Sequence, residues 1–289
     1  MHSLREIRRR VRSIGSTAQI TRAMQMVAAS KMRKAQDADL GGRPFARLLY
    51  RIQREATHWA ADLDHPLLEV RKVKKRAVIL VGADKGLCGP LNSNLFRVAT
   101  RFDPASTVFV TAGRRAAQLV ARTGRQLAAE FAYGDNPTFA DSRAIARCAS
   151  DLFLKREVDE VRLVTTHFIN TLSQEPVSLE FLPVGRITGL KVPGMEPEEA
   201  ALEADTAGCV FEPDAEGVLG YLLSHYLSLY IYQALLEAKA SEQSARMVSM
   251  KNATDSAEGL IKDLTREYNK LRQGNITKEL LEIAGGQSD

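Results

Sequence analysis

The chain has 289 residues and a net charge of +5, with 45% hydrophobic and 26% charged residues, the composition of an ordinary globular protein of one or two domains. No apolar run approaches the ~18 residues needed to span a bilayer, and the arginine-rich N-terminus has no apolar signal core and flows straight into a patterned helix, so it reads as mature sequence. Three widely spaced cysteines (Cys88, Cys148, Cys209) with no CxxC argue against a disulfide frame or a zinc site, fit a reducing compartment, and read as small buried hydrophobes.

Residues 1 to about 40 read as one long helix. Leu4, Ile7, Val11, Ile14 and Ala18 keep a 3-4 spacing, after which the stripe shifts to Ile20, Met24, Val27 and Met32. Such a phase slip adjusts how a coiled coil winds. No proline precedes Pro44, so the helix can run far; Gly41, Gly42 and Pro44 then predict a kink or break near 41–44. Phe45, Leu48, Leu49, Ile52 and Trp59 resume a helical face to about Ala61.

Charge is concentrated in this helix. Between Met1 and Gln36 stand nine Arg or Lys (Arg5, Arg8, Arg9, Arg10, Arg12, Arg22, Lys31, Arg33, Lys34) against one acid, Glu6, so the rest of the chain is slightly acidic. Three readings follow: a solvated polar face, a nucleic-acid reader, or a face for an acidic protein surface. The nucleic-acid reading lacks aromatic interleaving, a recognisable motif and a glycine-rich basic tail.

The middle of the chain changes period. Ala77–Val81 (AVILV), Thr107–Ala112 (TVFVTA) and Val161–Thr166 (VRLVTT) are short β-branched runs that read as strands, and Val177–Val184 (VSLEFLPV) alternates like an exposed or edge strand. Helical patterns lie between them, near Leu91–Thr100, Arg114–Arg122 and Ser142–Lys155. Strands alternating with helices imply a mainly parallel sheet with helices on its faces. Pro183–Pro213, rich in Pro, Gly and acids, reads as a connection, with Cys209–Phe211 as a candidate final strand.

One loop looks chemical: Gly82-Ala83-Asp84-Lys85-Gly86-Leu87-Cys88-Gly89, directly after the first strand. Glycines there can cradle phosphate. This run is not GxGxxG, and Lys85 is not followed by Ser or Thr as a P-loop requires, so a structural strand-to-helix turn is the better reading. The five histidines (His2, His58, His65, His167, His225) show no ligand spacing. His167 has no evident nucleophile or carboxylate partner. With no catalytic constellation, no metal site and no cofactor site, the chain reads as one that does no chemistry of its own.

From Gly217 to Ile283 a heptad seam runs unbroken through Leu222, Tyr226, Leu229, Gln233, Leu236, Ala240, Gln243, Met247, Met250, Thr254, Ala257, Ile261, Leu264, Tyr268, Leu271 and Asn275, and no proline follows Pro213. That is the signature of a long helix packed along one stripe against another helix. At 1.5 Å per residue it would reach roughly 100 Å, too long for a domain of this size to wrap. It is not a good leucine zipper: its middle carries Ala240, Gln243, Thr254 and Ala257, and it reads either as a weak coiled coil or as a thin shaft with a smooth surface. Its charge is balanced, eight of each sign between Glu237 and Glu282.

Three stretches now carry a specific resemblance. EIRRRVRSIGSTAQITRAMQMVAASKMRKAQ (Glu6–Gln36), GADKGLCGPLNSN (Gly82–Asn94) and the C-terminal ARMVSMKNAT, LTREYNKLRQ and ITKELLEI resemble the γ subunit of F-type ATP synthases, over nearly the whole chain and most weakly from Asp103 to Asp159. The C-terminal signature falls on Ile276, Thr277, Glu279, Glu282 and Gly286. Two departures are Gln287, where a small residue is usual, and Pro90, where the loop usually has a second glycine.

The resemblance implies a fold of a central α/β domain plus a long antiparallel α-helical coiled coil formed by the N- and C-terminal helices. The segments would be 1–61, 76–212 and 213–286. It implies a non-catalytic central-stalk rotor, without cofactor, turning inside a ring of α and β subunits and coupling proton or sodium flow to ATP synthesis and hydrolysis at the β subunits. Its other partners would be the ε subunit and the c-ring, in a hetero-oligomer holding one copy of this chain. It would sit peripherally on the cytoplasmic face of a bacterial inner membrane, as the lack of a presequence also favours. The family's coupling positions match Met24, Arg246, Arg272, Gln273, Thr277, Glu279 and Glu282; the basic cluster Arg8, Arg9, Arg10, Arg12, Lys31, Arg33 and Lys34 would meet acidic surfaces. The close cysteine pair of the chloroplast form is missing, so thiol regulation is not expected. Two rival readings are a coiled-coil scaffold or nucleic-acid-binding protein, which would not need α and β, and a small-molecule α/β enzyme, which would need a ligand at the Gly82 loop.

Overall fold

A computed structural model of the chain describes residues 4–59, 65–184 and 215–285; for 39, 43–59, 215, 216, 219 and 282–285 it describes the backbone alone. The chain divides into two compact units, Met1–Ala29 with Arg246–Asp289, and Ser30–Ala245. Two long helices, α1 (Leu4–Trp59) and α5 (Ala215–Gly285), contribute to both.

The Ser30–Ala245 unit is built on a five-stranded sheet. Its strands are β1 (Arg76–Val81), β2 (Thr107–Ala112), β3 (Gln126–Phe131), β4 (Glu160–Phe168) and β5 (Gln174–Leu182), in the order β3-β2-β1-β4-β5. All pairings are parallel except β4 with β5. Helices α2 (Leu91–Ala99), α3 (Arg114–Arg122) and α4 (Phe139–Leu154) make the crossovers. Side chains alternate across β1, as the two-residue period of a strand requires. Val78 and Leu80 join Leu95 and Ala99 of α2 and Ala116 and Val120 of α3 on one face. Ala77, Ile79 and Val81 join Ile145, Ala149 and Phe153 of α4, and Leu223 through Ala238 of α5, on the other. A sheet covered on both faces explains why β1 and β2 read as continuous apolar runs.

Four strands and three helices stand where the sequence places them. The fifth strand, β3, was not expected: Gln126-Leu127-Ala128-Ala129-Glu130-Phe131 is an edge strand, largely exposed, with no β-branched residue. Phe131 is its one strand-favouring residue, too little to mark a strand. The candidate strand Cys209–Phe211 lies outside the described residues.

Within the Met1–Ala29 and Arg246–Asp289 unit, α1 and α5 run antiparallel: Arg8 meets Tyr268, Thr21 meets Thr254, and Arg22 meets Glu258. The α5 stripe is the expected one. Met250, Thr254 and Ala257 are buried, while Ile261, Leu264, Tyr268 and Leu271 are half-buried. On α1 the expected phase slip is absent. Ile20 and Val27 are 60% and 54% exposed. The stripe instead keeps its 3-4 spacing through Ile14, Ala18, Thr21, Gln25, Ala28, Met32 and Ala35. Small and polar residues carry the seam there because helices that approach closely have no room for larger ones.

A break near 41–44 does not occur either: α1 is helical through Gly41, Gly42 and Pro44 to Trp59. One internal proline removes a single backbone hydrogen bond and costs ~3 kcal/mol, a local loss that turns on either side can offset.

Candidate functional site

In sheets of this topology, ligands bind beyond the carboxyl ends of the strands, where the strand order reverses. Here that point lies between β1, which leads through α2 to β2 on one side, and β4, which leads to β5 on the other. The crevice is filled by the chain's own helix. Ser241 Oγ donates to the carbonyl of Thr166 at 3.4 Å, Ser244 Oγ to that of Thr171 at 2.7 Å, and the amide of Phe168 donates to Glu237 at 3.2 Å. His167 Nδ1 reaches the same Glu237 carboxylate at 2.5 Å, so its partner is structural. From the β1 side, Ala83, Cys88 and Leu91 pack against Ala245. The loop after β1 therefore contributes to seating α5.

A third loop completes the collar. After β3, Tyr133 is buried and its hydroxyl donates to the carbonyl of Gly82 at 2.9 Å. Burial, then the nearby Glu242 and Asp84 charges, holds that phenol well above its ordinary range. Asp135 accepts from Lys31 of α1 at 2.5 Å and stands 3.5 Å from the ammonium of Lys239, which is 1% exposed and lies 3.1 Å from Glu242. The Lys31 hydrogen bond is the main cause that holds the Asp135 carboxyl below its usual range.

Between Ala238 and Arg246 every residue of α5 is buried, although the sequence there is mostly polar: Ala-Lys-Ala-Ser-Glu-Gln-Ser-Ala-Arg. The expected single seam through Ala240 and Gln243 describes less than what happens there, because the collar covers α5 on all sides. Polar side chains are tolerated in such a place when each finds a partner.

The residues matched to the family's coupling positions separate into two groups. Met24 is half-buried on α1, and Arg246 is 7% exposed and partnered within the chain. Arg272, Gln273, Thr277 and Glu279 are exposed on the last turns of α5, with Thr277 Oγ1 bonded to the carbonyl of Gln273. The side chain of Glu282 lies outside the described residues. Ile276, Leu280 and Leu281 are also exposed there.

Of the basic cluster, Arg9, Arg12, Arg33 and Lys34 are exposed. Arg8 donates to the hydroxyl of Tyr268 at 2.6 Å, Arg10 pairs with Glu6 at 3.2 Å, and Lys31 is engaged with Asp135. Lys239, Asp135 and Tyr133 were not singled out from the sequence. A lone lysine in an alanine-rich stretch gives no signal that its partner stands some hundred residues earlier.

Two antiparallel long helices, one of them gripped in the ligand crevice of a doubly wound sheet, define a class of protein. It joins a two-helix unit to an α/β unit that holds a helix where an enzyme of that fold holds a substrate. The family model described as ATP synthase matches residues 3–288. The ATP synthase gamma chain of Methylacidiphilum infernorum is 43% identical, with 99% of each chain covered, and that of Opitutus terrae is 42% identical over 99% of this chain and 98% of its own. Among solved structures, the central stalk and c-ring of the Tetrahymena thermophila mitochondrial ATP synthase matches at 26% identity and a TM-score of 0.60, covering 81% of this chain and 99% of that one. The chain belongs to the ATP synthase gamma-chain family.

Proposed function

We propose that this chain is the central-stalk rotor of an F-type ATP synthase, turning inside a ring of α and β subunits and linking ion flow to ATP synthesis and hydrolysis at the β subunits. The observation that carries the reading is the continuous α5 helix, seamed against α1 in one unit and gripped on all sides in the other. A rotor has to be held at one end and present a changing face at the other. Coupling requires that each orientation make different contacts with each β subunit, since a part that interacts equally with every state shifts none. The pair has such faces. Arg9 and Arg12 are exposed on α1, as are the apolar Ile20, Met26 and Val27.

The role divides along the chain. The ends of α1 and α5 that pair within Met1–Ala29 and Arg246–Asp289 form the shaft, and the Ser30–Ala245 unit forms the head beside the ε subunit and the c-ring. Met24, Arg246, Arg272, Gln273, Thr277, Glu279 and Glu282 serve coupling to the ring, and the free members of the basic cluster steer toward acidic surfaces of α and β. The chain carries no catalytic residue of its own. It works peripherally at the cytoplasmic face of a bacterial inner membrane. Among the described residues no helix is long and apolar enough to cross a membrane.

The test is assembly. Purified α and β are mixed with and without this chain, and ATP hydrolysis is followed. The expected result is a stable complex holding one copy of this chain, with turnover that depends on it. A chain that neither co-purifies with α and β nor alters their turnover refutes the proposal.

A further inference from the structure

We propose that Asp135 is a torque clamp, a single carboxylate through which the head holds both long helices in rotational register. The proposal rests on the rotor reading above and adds the residues that keep the head from slipping on the helices. The carboxylate sits on the connection between β3 and α4. One oxygen takes the ammonium of Lys31 on α1 at 2.5 Å, and the other stands 3.5 Å from the ammonium of Lys239 on α5. Lys239 is 1% exposed, is shared with Glu242 at 3.1 Å, and lies 5.2 Å from the centre of the Tyr133 ring. Tyr133 is in turn tied to Gly82 at the end of β1.

The charge at Lys239 is a poor device for stability. Removing an ammonium from water carries a penalty of several kcal/mol that its partners only partly repay, and replacing a whole buried ion pair by apolar side chains of similar volume is often neutral or better. What an ion pair adds is direction. The surrounding α5 surface mixes small apolar residues (Ala234, Ala238, Ala240, Ala245), which resist sliding weakly, with Ser241 and Ser244, whose hydrogen bonds tie α5 only to the β4 side. Turning α5 by one residue, about 100°, would strip Lys239 of Asp135 and drive its ammonium against other buried surface. Lys31 gives α1 the same anchor. A load that twists the helices against the head therefore meets an electrostatic stop at Asp135.

The experiment uses the holoenzyme, with α, β, ε and the c-ring reconstituted in vesicles, carrying Asp135→Asn or Lys239→Met. Ion pumping per ATP hydrolysed is measured at rising back-pressure. Hydrolysis is expected to continue in both variants while pumping per ATP falls roughly two-fold or more under load. Asp135→Glu, which keeps the carboxylate, is expected to recover most of it. Thermal unfolding of the chain separates this from a merely structural role: Lys31→Met, at the half-exposed end of the clamp, should unfold close to wild type and still lose coupling, whereas Lys239→Met takes a cation from the buried Glu242 and should unfold earlier. Wild-type coupling in both variants at full load overturns the clamp. Should Asp135→Asn fail to fold, Lys31→Met at the exposed end carries the same test, and unchanged coupling there overturns it as well. A wild-type chain that couples nothing removes the rotor reading and the clamp together, which distinguishes that failure from the first.

Discussion

The centre of the helix pair can be tested at Thr21 and Thr254. Their hydroxyls meet at 2.6 Å across the seam, and both residues are buried. Each also reaches a carbonyl of its own helix, Ala18 at 3.1 Å and Met250 at 2.9 Å. Each hydroxyl has a single proton, so the bond across the seam uses one of them and the remaining one turns back on its own helix. Thr21→Val deletes the cross-helix bond but leaves Thr254 its own carbonyl, so the loss is that of one net hydrogen bond, about 1 kcal/mol. Thr254→Val should cost about the same. With both replaced, two methyl-bearing side chains of the same shape meet, and removing both partners of a hydrogen bond can be close to neutral. The double variant should therefore cost no more than either single, with a coupling energy on the order of 1 kcal/mol. Equilibrium denaturation of the four proteins, followed by helical circular dichroism, measures it. A double variant that costs the sum, about 2 kcal/mol, would mean that the hydroxyls do not support one another.

Other outcomes follow from the same structure. Gly113 has φ +94° between β2 and α3, and a Cβ there would stand 2.1 Å from the carbonyl oxygen of Gly82. Gly113→Ala should cost at least ~2 kcal/mol in the same assay, and wild-type stability would contradict that geometry. Tyr230 is pushed up to about 12 by burial and the Glu237 charge. The folded chain keeps this proton where the unfolded chain, titrating near ~10, has lost it, so stability is full below about pH 10 and falls as pH rises toward 12. Tyr230→Phe should flatten that alkaline decline, and an unchanged slope would remove Tyr230 as its source. Met24→Lys puts a charge at a half-buried position on α1. In the reconstituted enzyme it should leave hydrolysis running while ATP synthesis falls roughly threefold or more; full synthesis would take Met24 out of the coupling surface.

What was legible in the sequence follows from how burial is shared. Along the second half of α5 one stripe is covered and the rest is wet, so the heptad from Met250 to Leu271 reads directly. Strands β1 and β2 are covered on both faces and announce themselves as apolar runs. Ile20 and Val27 mislead on α1 because apolarity does not mark burial there. In a thin two-helix shaft the contact line is Ala18, Thr21, Gln25 and Ala28, chosen for size, and the larger apolar residues are left outside. Strand β3 gives little signal because it is an edge with little covered surface, and its Leu127, Ala128 and Ala129 form neither an alternating pattern nor a β-branched run. The collar was hidden for a different reason. Its contacts join Lys31, Asp135 and Lys239, which are remote in sequence, and no local period encodes such a meeting.

The most direct measurement fixes an α and β ring to a surface and attaches a visible probe to the head of this chain. With ATP supplied, the probe should rotate continuously in one direction, at a rate that rises with ATP concentration until turnover saturates. A probe that stays still or wanders without direction while the same complexes hydrolyse ATP would show that this chain is not the rotor.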